Sequence, residues 1–243
     1  MLQALIFDVD GTLADTEGAH RAAFNHAFKA VGLDWVWDEA LYTELLSISG
    51  GKERMQHYWN TTCDIRDVGG AGVQDTIARL HELKTAEYEG MVRDGQVLLR
   101  PGVLRLIESA SQQGLQLAIA TTTSPINITA LLRTAIGLDW RHYFTVIEDA
   151  STAPNKKPHP QVYLQTLSRM GLSAADGLAF EDSANGLNAA TSAGLATVIT
   201  PNRFTAHHDF RHALRVVPDL LGTTVAHLRA WHGEWSHRTS LRN

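Results

Sequence analysis

Beyond about Gly90, four short apolar runs alternate with stretches of helical period. The runs are Leu115 to Ala120, Tyr143 to Ile147, Gly177 to Phe180 and Ala196 to Ile199. The helical stretches are roughly Val103 to Gln113, Ile126 to Ile136, Gln161 to Met170 and Gly186 to Ala193. Short continuous apolar runs suit strands covered on both faces, since a half-exposed strand would alternate apolar with polar residues. Parallel neighbours need a crossover long enough to hold a helix, so this alternation predicts an α/β fold, a doubly wound parallel sheet with helices on both sides. A fifth run, Leu2 to Phe7, stands apart at the start of the chain and reads as a further buried strand. Between about Asp15 and Gly90 the pattern is helical throughout, at His20 to Val31, Leu41 to Leu46, Glu53 to Trp59 and Val73 to Val92. The expected organisation is therefore an α/β core made of residues 1–14 and 91–243, with a small all-helical unit, residues 15–90, inserted after the first strand. The polar end from His232 to Asn243 reads as a frayed tail.

In a doubly wound sheet, ligands bind beyond the carboxyl ends of the strands. The residues to inspect are then Asp8 and Asp10, Thr121 to Thr123, and Glu181 with Asp182. Composition narrows the chemistry. A hydrophobic fraction of 44% is that of a chain with a packed core, and 21 basic against 26 acidic residues give a net charge of −5. That balance argues against a nucleic-acid partner. Cys63 is alone, which excludes an internal disulfide and a cysteine-based zinc site, and no apolar run is long enough to span a membrane. Leu2 to Phe7 is also too short for a signal peptide, so a cytoplasmic protein is expected. Neither GxxxxGK[ST] nor GxGxxG is present, and the histidines show no HxH or HExxH spacing.

The sharpest local signal is Asp8-Val9-Asp10-Gly11-Thr12-Leu13. A chance DxDGT in a chain of this size is expected at about 10⁻³ to 10⁻². Three further signals follow it in order: Thr121 after the apolar run Leu117 to Ala120; Lys157 in Lys157-Pro158-x-Pro160-x-x-Tyr163; and Glu181-Asp182-Ser183-x-x-Gly186. In these four motifs the chain resembles the haloacid dehalogenase superfamily of aspartate-nucleophile enzymes. The position of the helical block, together with Trp35-Val36-Trp37-Asp38 and Gly50-Gly51-Lys52-Glu53-Arg54, makes it similar to the CbbY and β-phosphoglucomutase branch, in which that block is a cap.

The resemblance implies phosphoryl transfer. Asp8 would be the nucleophile forming an aspartyl-phosphate, and Asp10 the acid and base that serves the leaving alcohol and then water. Thr121 and Lys157 would stabilise the transferring oxygens. Mg²⁺ would be held by Asp8, the main-chain carbonyl of Asp10 and Asp182, with Glu181 acting through water. A carboxylate facing a phosphate dianion at about 4 Å is repelled by roughly 8 kcal/mol at an effective dielectric near 20, so a cation and a fixed ammonium are required beside Asp8. Dehalogenases of the superfamily lack the second acid, so Asp10 favours phosphate chemistry. Lys156 is the adjacent alternative to Lys157, and Thr122 and Ser124 are further phosphate neighbours, Thr122 through its N–H.

For the cap, the resemblance implies substrate contacts from Glu17, Gly50, Gly51, Lys52, Arg54 and Lys84. Glycines before a helix let the backbone approach a ligand, and two cations suit an anion. The plainer alternatives are solvated charges at Lys52, Arg54 and Lys84, a helix-start charge at Glu17, and cap core for Tyr42, Trp35 and Trp37. His207 and His208 read as solvated, and Cys63 as inert. The implied activity is a Mg²⁺-dependent sugar bisphosphate phosphatase acting on xylulose 1,5-bisphosphate, an inhibitor of red-type Rubisco, in a monomer. A β-phosphoglucomutase and a phosphoglycolate-type phosphatase are the enzymatic alternatives, and a silent sugar-phosphate-binding protein the non-enzymatic one. Mutases of the branch follow the second motif with Lys-Asn, where this chain has Thr123-Ser124-Pro125.

Overall fold

The computed structural model describes residues 1–62 and 70–240, and Cys63 lies outside them. The chain divides into two units, one formed by Met1–Asp15 with Leu98–Asn243 and the other by Thr16–Val97.

The first unit is built on six parallel strands, β1 (Ala4–Phe7), β2 (Gln116–Ala120), β3 (Val146–Glu148), β4 (Gly177–Glu181), β5 (Ala196–Ile199) and β6 (Arg215–Val216), in the order β3-β2-β1-β4-β5-β6. Strands β1, β4 and β5 are buried at every position. Their side chains divide by the two-residue period: Ala4, Ile6 and Ala179 join one core cluster with Val162, Leu167, Ala189 and Ala190, while Phe7 and Phe180 stack on the other face at 4.7 Å. From β1 the chain passes to β2 and β3 on one side and then to β4, β5 and β6 on the other. The reversal of order falls between β1 and β4, where crossovers leave a crevice at the carboxyl ends.

The second unit contains helices and no strand among its described residues. Its helices are α1 (Glu17–Ala30), α2 (Glu39–Leu45), α3 (Gly51–Thr62) and α4 (Gly70–Arg93). Ala23, Phe24, Ala27 and Phe28 form the buried stripe of α1, which packs along α4. Trp37, fully buried, fills the middle, 4.7 Å from Phe24, 4.9 Å from Phe28 and 5.5 Å from Tyr58 between ring centres. Asn25 clasps its backbone, accepting from Trp37 N at 2.8 Å and donating to Trp37 O at 2.9 Å. Trp35 packs edge-on against Phe28, Tyr58 and Trp59. Both tryptophans serve packing.

The remaining helices of the first unit are α5 (Val103–Gln112), α6 (Pro125–Ala135), α7 (Gln161–Met170), α8 (Ala184–Ser192) and α9 (Val225–Ser240). Three expectations need correction. The second unit ends at Val97, beyond the expected Gly90, because α4 continues to Arg93 and a turn follows. The expected tail from His232 is helical through Ser240, since α9 buries Leu228 and His232. The run Tyr143 to Ile147 splits: Trp140–Tyr143 is a 3₁₀ turn and the strand begins at Val146.

Candidate active site

The carboxyl ends of β1, β2 and β4 bring the four motifs together. Asp8 follows β1 directly, and its N–H continues the ladder to Phe180 O at 3.0 Å. The chain then turns sharply, with Leu13 N on Val9 O and Gly11 N on Ala14 O, both at 2.9 Å. Gly11 has φ +78, and a Cβ there would collide with the Asp182 carboxylate. Close approach of the first and fourth motifs therefore requires glycine.

Lys157 enters from the loop before α7 and is buried. Its ammonium donates to Asp8 Oδ1 at 2.7 Å, to Glu181 Oε1 at 2.5 Å and to Ala120 O at 2.9 Å, which uses all three of its donors. Tyr163 donates its hydroxyl to the same Glu181 oxygen at 2.5 Å. Gly186 lies so near Glu181 that a side chain there would overlap the carboxylate. Asp182 Oδ2 accepts from Asn202 Nδ2 at 2.7 Å, and the Ser183 side chain caps α8 by accepting from Gly186 N at 3.1 Å. Thr121 is buried after β2; its N–H reaches Glu148 O at 3.1 Å and its hydroxyl accepts from Thr123 N at 3.3 Å. Ser124 caps α6 by accepting from Asn127 N, and Pro125 opens the helix.

Burial dominates the electrostatics of Asp8, pushing its pKa up to about 7; the charge of Lys157 works against this, while Glu181 and Asp10 add to it. Burial alone would lower Lys157, but the Asp8 and Glu181 charges outweigh it and hold the ammonium above the usual lysine range. The Tyr163 hydroxyl is also raised, by burial first and then by Glu181.

Asp8, Glu181 and Asp182, all buried, offer oxygens lying within 4.8 Å of one another. Three carboxylates against the one ammonium that touches two of them leave excess negative charge in a low-dielectric crevice. Hard oxygen donors and that charge surplus fit a divalent cation such as Mg²⁺.

The second unit treats its expected site residues unequally. Lys52 is exposed in the first turn of α3, after Gly50 at φ +96. Arg54 is buried and turned inward: Nε donates to Leu45 O at 3.0 Å, Nη2 to Ile48 O at 3.1 Å and Nη1 to the Tyr42 hydroxyl at 3.3 Å. That hydroxyl donates to Glu17 Oε2 at 2.8 Å. Lys84 is buried too, its ammonium 2.8 Å from His20 Nδ1 and above the rings of Phe24 and Tyr88, not on a solvated helix face. His208 corrects a further expectation: it is half-buried, and its Nδ1 accepts from Ala184 N at 3.2 Å at the start of α8. Sequence reasoning passed over Asn202, the partner of Asp182, and Arg100, whose acceptors are main-chain carbonyls apart from the Thr200 hydroxyl and leave no sequence pattern.

A model of haloacid dehalogenase-like hydrolases matches residues 2–194. The chain belongs to that family. Among haloacid dehalogenase-like proteins it is 51% identical to the plasmid-encoded protein CbbY of Cupriavidus necator, over 95% of this chain and 97% of that one. The crystal structure of CbbY from Rhodobacter sphaeroides in complex with phosphate matches with a TM-score of 0.87 at 39% identity, covering 94% of this chain and 100% of that one. A mutant of the same CbbY, crystallised with xylulose-(1,5)bisphosphate, matches with the same TM-score and identity over 94% of this chain and 99% of that one. The fold and hydrolase class expected from the four motifs are therefore those the chain has.

Proposed function

We propose that this hydrolase is a Mg²⁺-dependent phosphatase of sugar bisphosphates, converting xylulose 1,5-bisphosphate to xylulose 5-phosphate and so removing an inhibitor of Rubisco. The observation that carries the reading is the buried contact of Asp8 with Lys157 inside a three-carboxylate cluster. The similarity to CbbY, crystallised with this bisphosphate, supports the substrate.

Asp8, Asp182 and the carbonyl of Asp10 would hold the cation, with Glu181 acting through a water. Mg²⁺ there would supply charge neutralisation for the incoming phosphate and a template for in-line attack. Asp8 attacks phosphorus through its free oxygen, forming an aspartyl-phosphate and breaking the bond to the sugar oxygen. Lys157, pinned by Glu181 and Ala120, neutralises charge on the transferring group, and the hydroxyl of Thr121 binds one of its oxygens. Asp10 donates the proton the leaving alkoxide needs, then takes one from the water that hydrolyses the acyl phosphate. Lys52 is the cation assigned to the second phosphate, whereas Arg54 serves the shape of the Leu45 to Gly51 turn. Glu17, held by Tyr42, is assigned to substrate hydroxyls, and Lys84, Gly50, Gly51 and Thr122 complete the binding set. The protein acts on a small molecule, as a cytoplasmic monomer.

The test is phosphate release from a panel of sugar mono- and bisphosphates, with Mg²⁺ and with a chelator. Xylulose 1,5-bisphosphate should be the best substrate and should require the metal. A glucose 1-phosphate to glucose 6-phosphate interconversion without release of phosphate would instead mark a mutase.

A further inference from the structure

Arg100 belongs to none of the four motifs, yet its guanidinium gathers carbonyls from separate loops. Nη1 donates to Gly11 O at 2.5 Å and to Thr200 O, with the Thr200 hydroxyl at 3.1 Å. Nη2 donates to Pro201 O at 2.8 Å and to Pro218 O at 3.1 Å. Its own N–H donates to Leu13 O at 2.8 Å. One half-buried side chain thus ties the turn after β1 to the loops after β5 and β6.

Both ends of that tie lead to the acidic cluster. Gly11 O is one peptide unit from the Asp10 carbonyl assigned to the cation. Pro201 precedes Asn202, whose Nδ2 fixes Asp182 Oδ2 at 2.7 Å. Asn202 is itself held, with its Oδ1 accepting from Phe204 N at 2.8 Å and its N–H donating to Thr205 Oγ1 at 3.0 Å. The segment that carries Asp10 and the one that carries Asn202, the partner of Asp182, therefore share one guanidinium as a brace.

We propose that Arg100 is a positioning residue for the divalent cation: by strapping Gly11 to Thr200, Pro201 and Pro218, it fixes the spacing at which the Asp8–Asp10 turn and Asp182 meet the metal. The proposal rests on the Mg²⁺-dependent reading above. A planar fork suits this task, since it addresses several carbonyls in fixed directions, which a single ammonium on a flexible stem does not.

Charge and geometry predict opposite signs. Arg100 lies close enough to Asp182 for their charges to interact, so its positive charge repels a cation bound there. If charge were all, Arg100→Gln would bind Mg²⁺ more tightly and Arg100→Lys would match the wild type. If the brace positions the ligands, both variants bind Mg²⁺ more weakly, by about 10- to 100-fold, the range for partners that orient metal ligands.

The experiment is calorimetric titration of Mg²⁺ into the full-length wild type, Arg100→Lys and Arg100→Gln, with circular dichroism melts to confirm that each is folded. Steady-state kinetics at saturating Mg²⁺ accompany it. The proposal expects weaker Mg²⁺ binding in both variants, activity largely restored by excess Mg²⁺, and a KM for the sugar phosphate close to wild type. Unchanged or tighter binding in folded variants overturns it. A second arm needs no variant: in wild-type NMR spectra, the Arg100 Nη signals should show restricted rotation and should shift on addition of Mg²⁺. Freely rotating signals that ignore Mg²⁺ likewise overturn the proposal. If the wild type binds no Mg²⁺ at all, it is the Mg²⁺ reading that fails.

Discussion

At the scale of single residues, the account turns on the contrast between two carboxylates two positions apart. Asp8 is buried against Lys157, while Asp10 is only half-buried. Asp8→Asn keeps the shape and removes the attacking charge, so phosphate release should fall by at least about 10³-fold with the fold retained. Turnover above about a hundredth of wild type, with deamidation excluded by mass spectrometry, would remove Asp8 from that role. Asp10→Asn should damage a sugar phosphate far more than an aryl phosphate, because an aryloxide leaves without a proton and an alkoxide does not. Equal losses on both substrates would deny Asp10 its acid role. These residues were legible in the sequence, because acid, hydroxyl and lysine follow apolar runs in a fixed order. Arg54 was not. A basic residue after Gly50-Gly51 reads as an anion ligand, and only its position shows three of its N–H groups donating to Leu45 O, Ile48 O and Tyr42.

At the scale of elements, α8 and α3 carry the next tests. Gly186 lies in the first turn of α8 with no room for a side chain beside Glu181. Gly186→Ala should displace the Glu181 carboxylate, loosen Lys157 and lower kcat by roughly 10- to 100-fold, a positioning loss rather than an unfolding one. A kcat equal to wild type would show that Glu181 has room to move harmlessly. In α3, Lys52→Ala should cost about 10- to 150-fold in kcat/KM for the bisphosphate, from roughly 1.5 to 3 kcal/mol for a charge-assisted hydrogen bond, and spare a monophosphate. Arg54→Ala should cost both substrates in parallel, because it also unseats Tyr42 and, through it, Glu17, which is assigned to hydroxyls that both substrates carry. The strands and helices flanking these sites were legible from apolar runs and helical period. Two elements were not. The strand β6 is only Arg215–Val216, too short and too polar to register, and α9 hides its buried positions among polar ones.

At the scale of the whole molecule, stability responds to groups far from the crevice. His232 in α9 is buried, and burial, with a smaller effect of the N-terminal charge, lowers its pKa below the usual 6.5. The unfolded chain therefore binds a proton at a higher pH than the folded one. Stability from this group is full above about pH 6.5 and declines as the pH falls toward the lowered folded value. A His232→Asn variant should lose less melting temperature than wild type between pH 7 and pH 5.5, and parallel losses would remove His232 as the source. The two-unit organisation was legible because helical period fills the stretch after the first motif. Its second boundary was misplaced, since Gly90 sits inside α4 and does not end it. The central claim is covalent phosphoryl transfer from a sugar bisphosphate to Asp8. The most direct measurement is acid-quenched mass spectrometry of the enzyme during turnover of xylulose 1,5-bisphosphate with Mg²⁺. The account predicts a phosphoryl adduct on the peptide containing Asp8, absent in Asp8→Asn and absent with chelator. Steady release of phosphate with no adduct on that peptide, or an adduct on another residue, would contradict it.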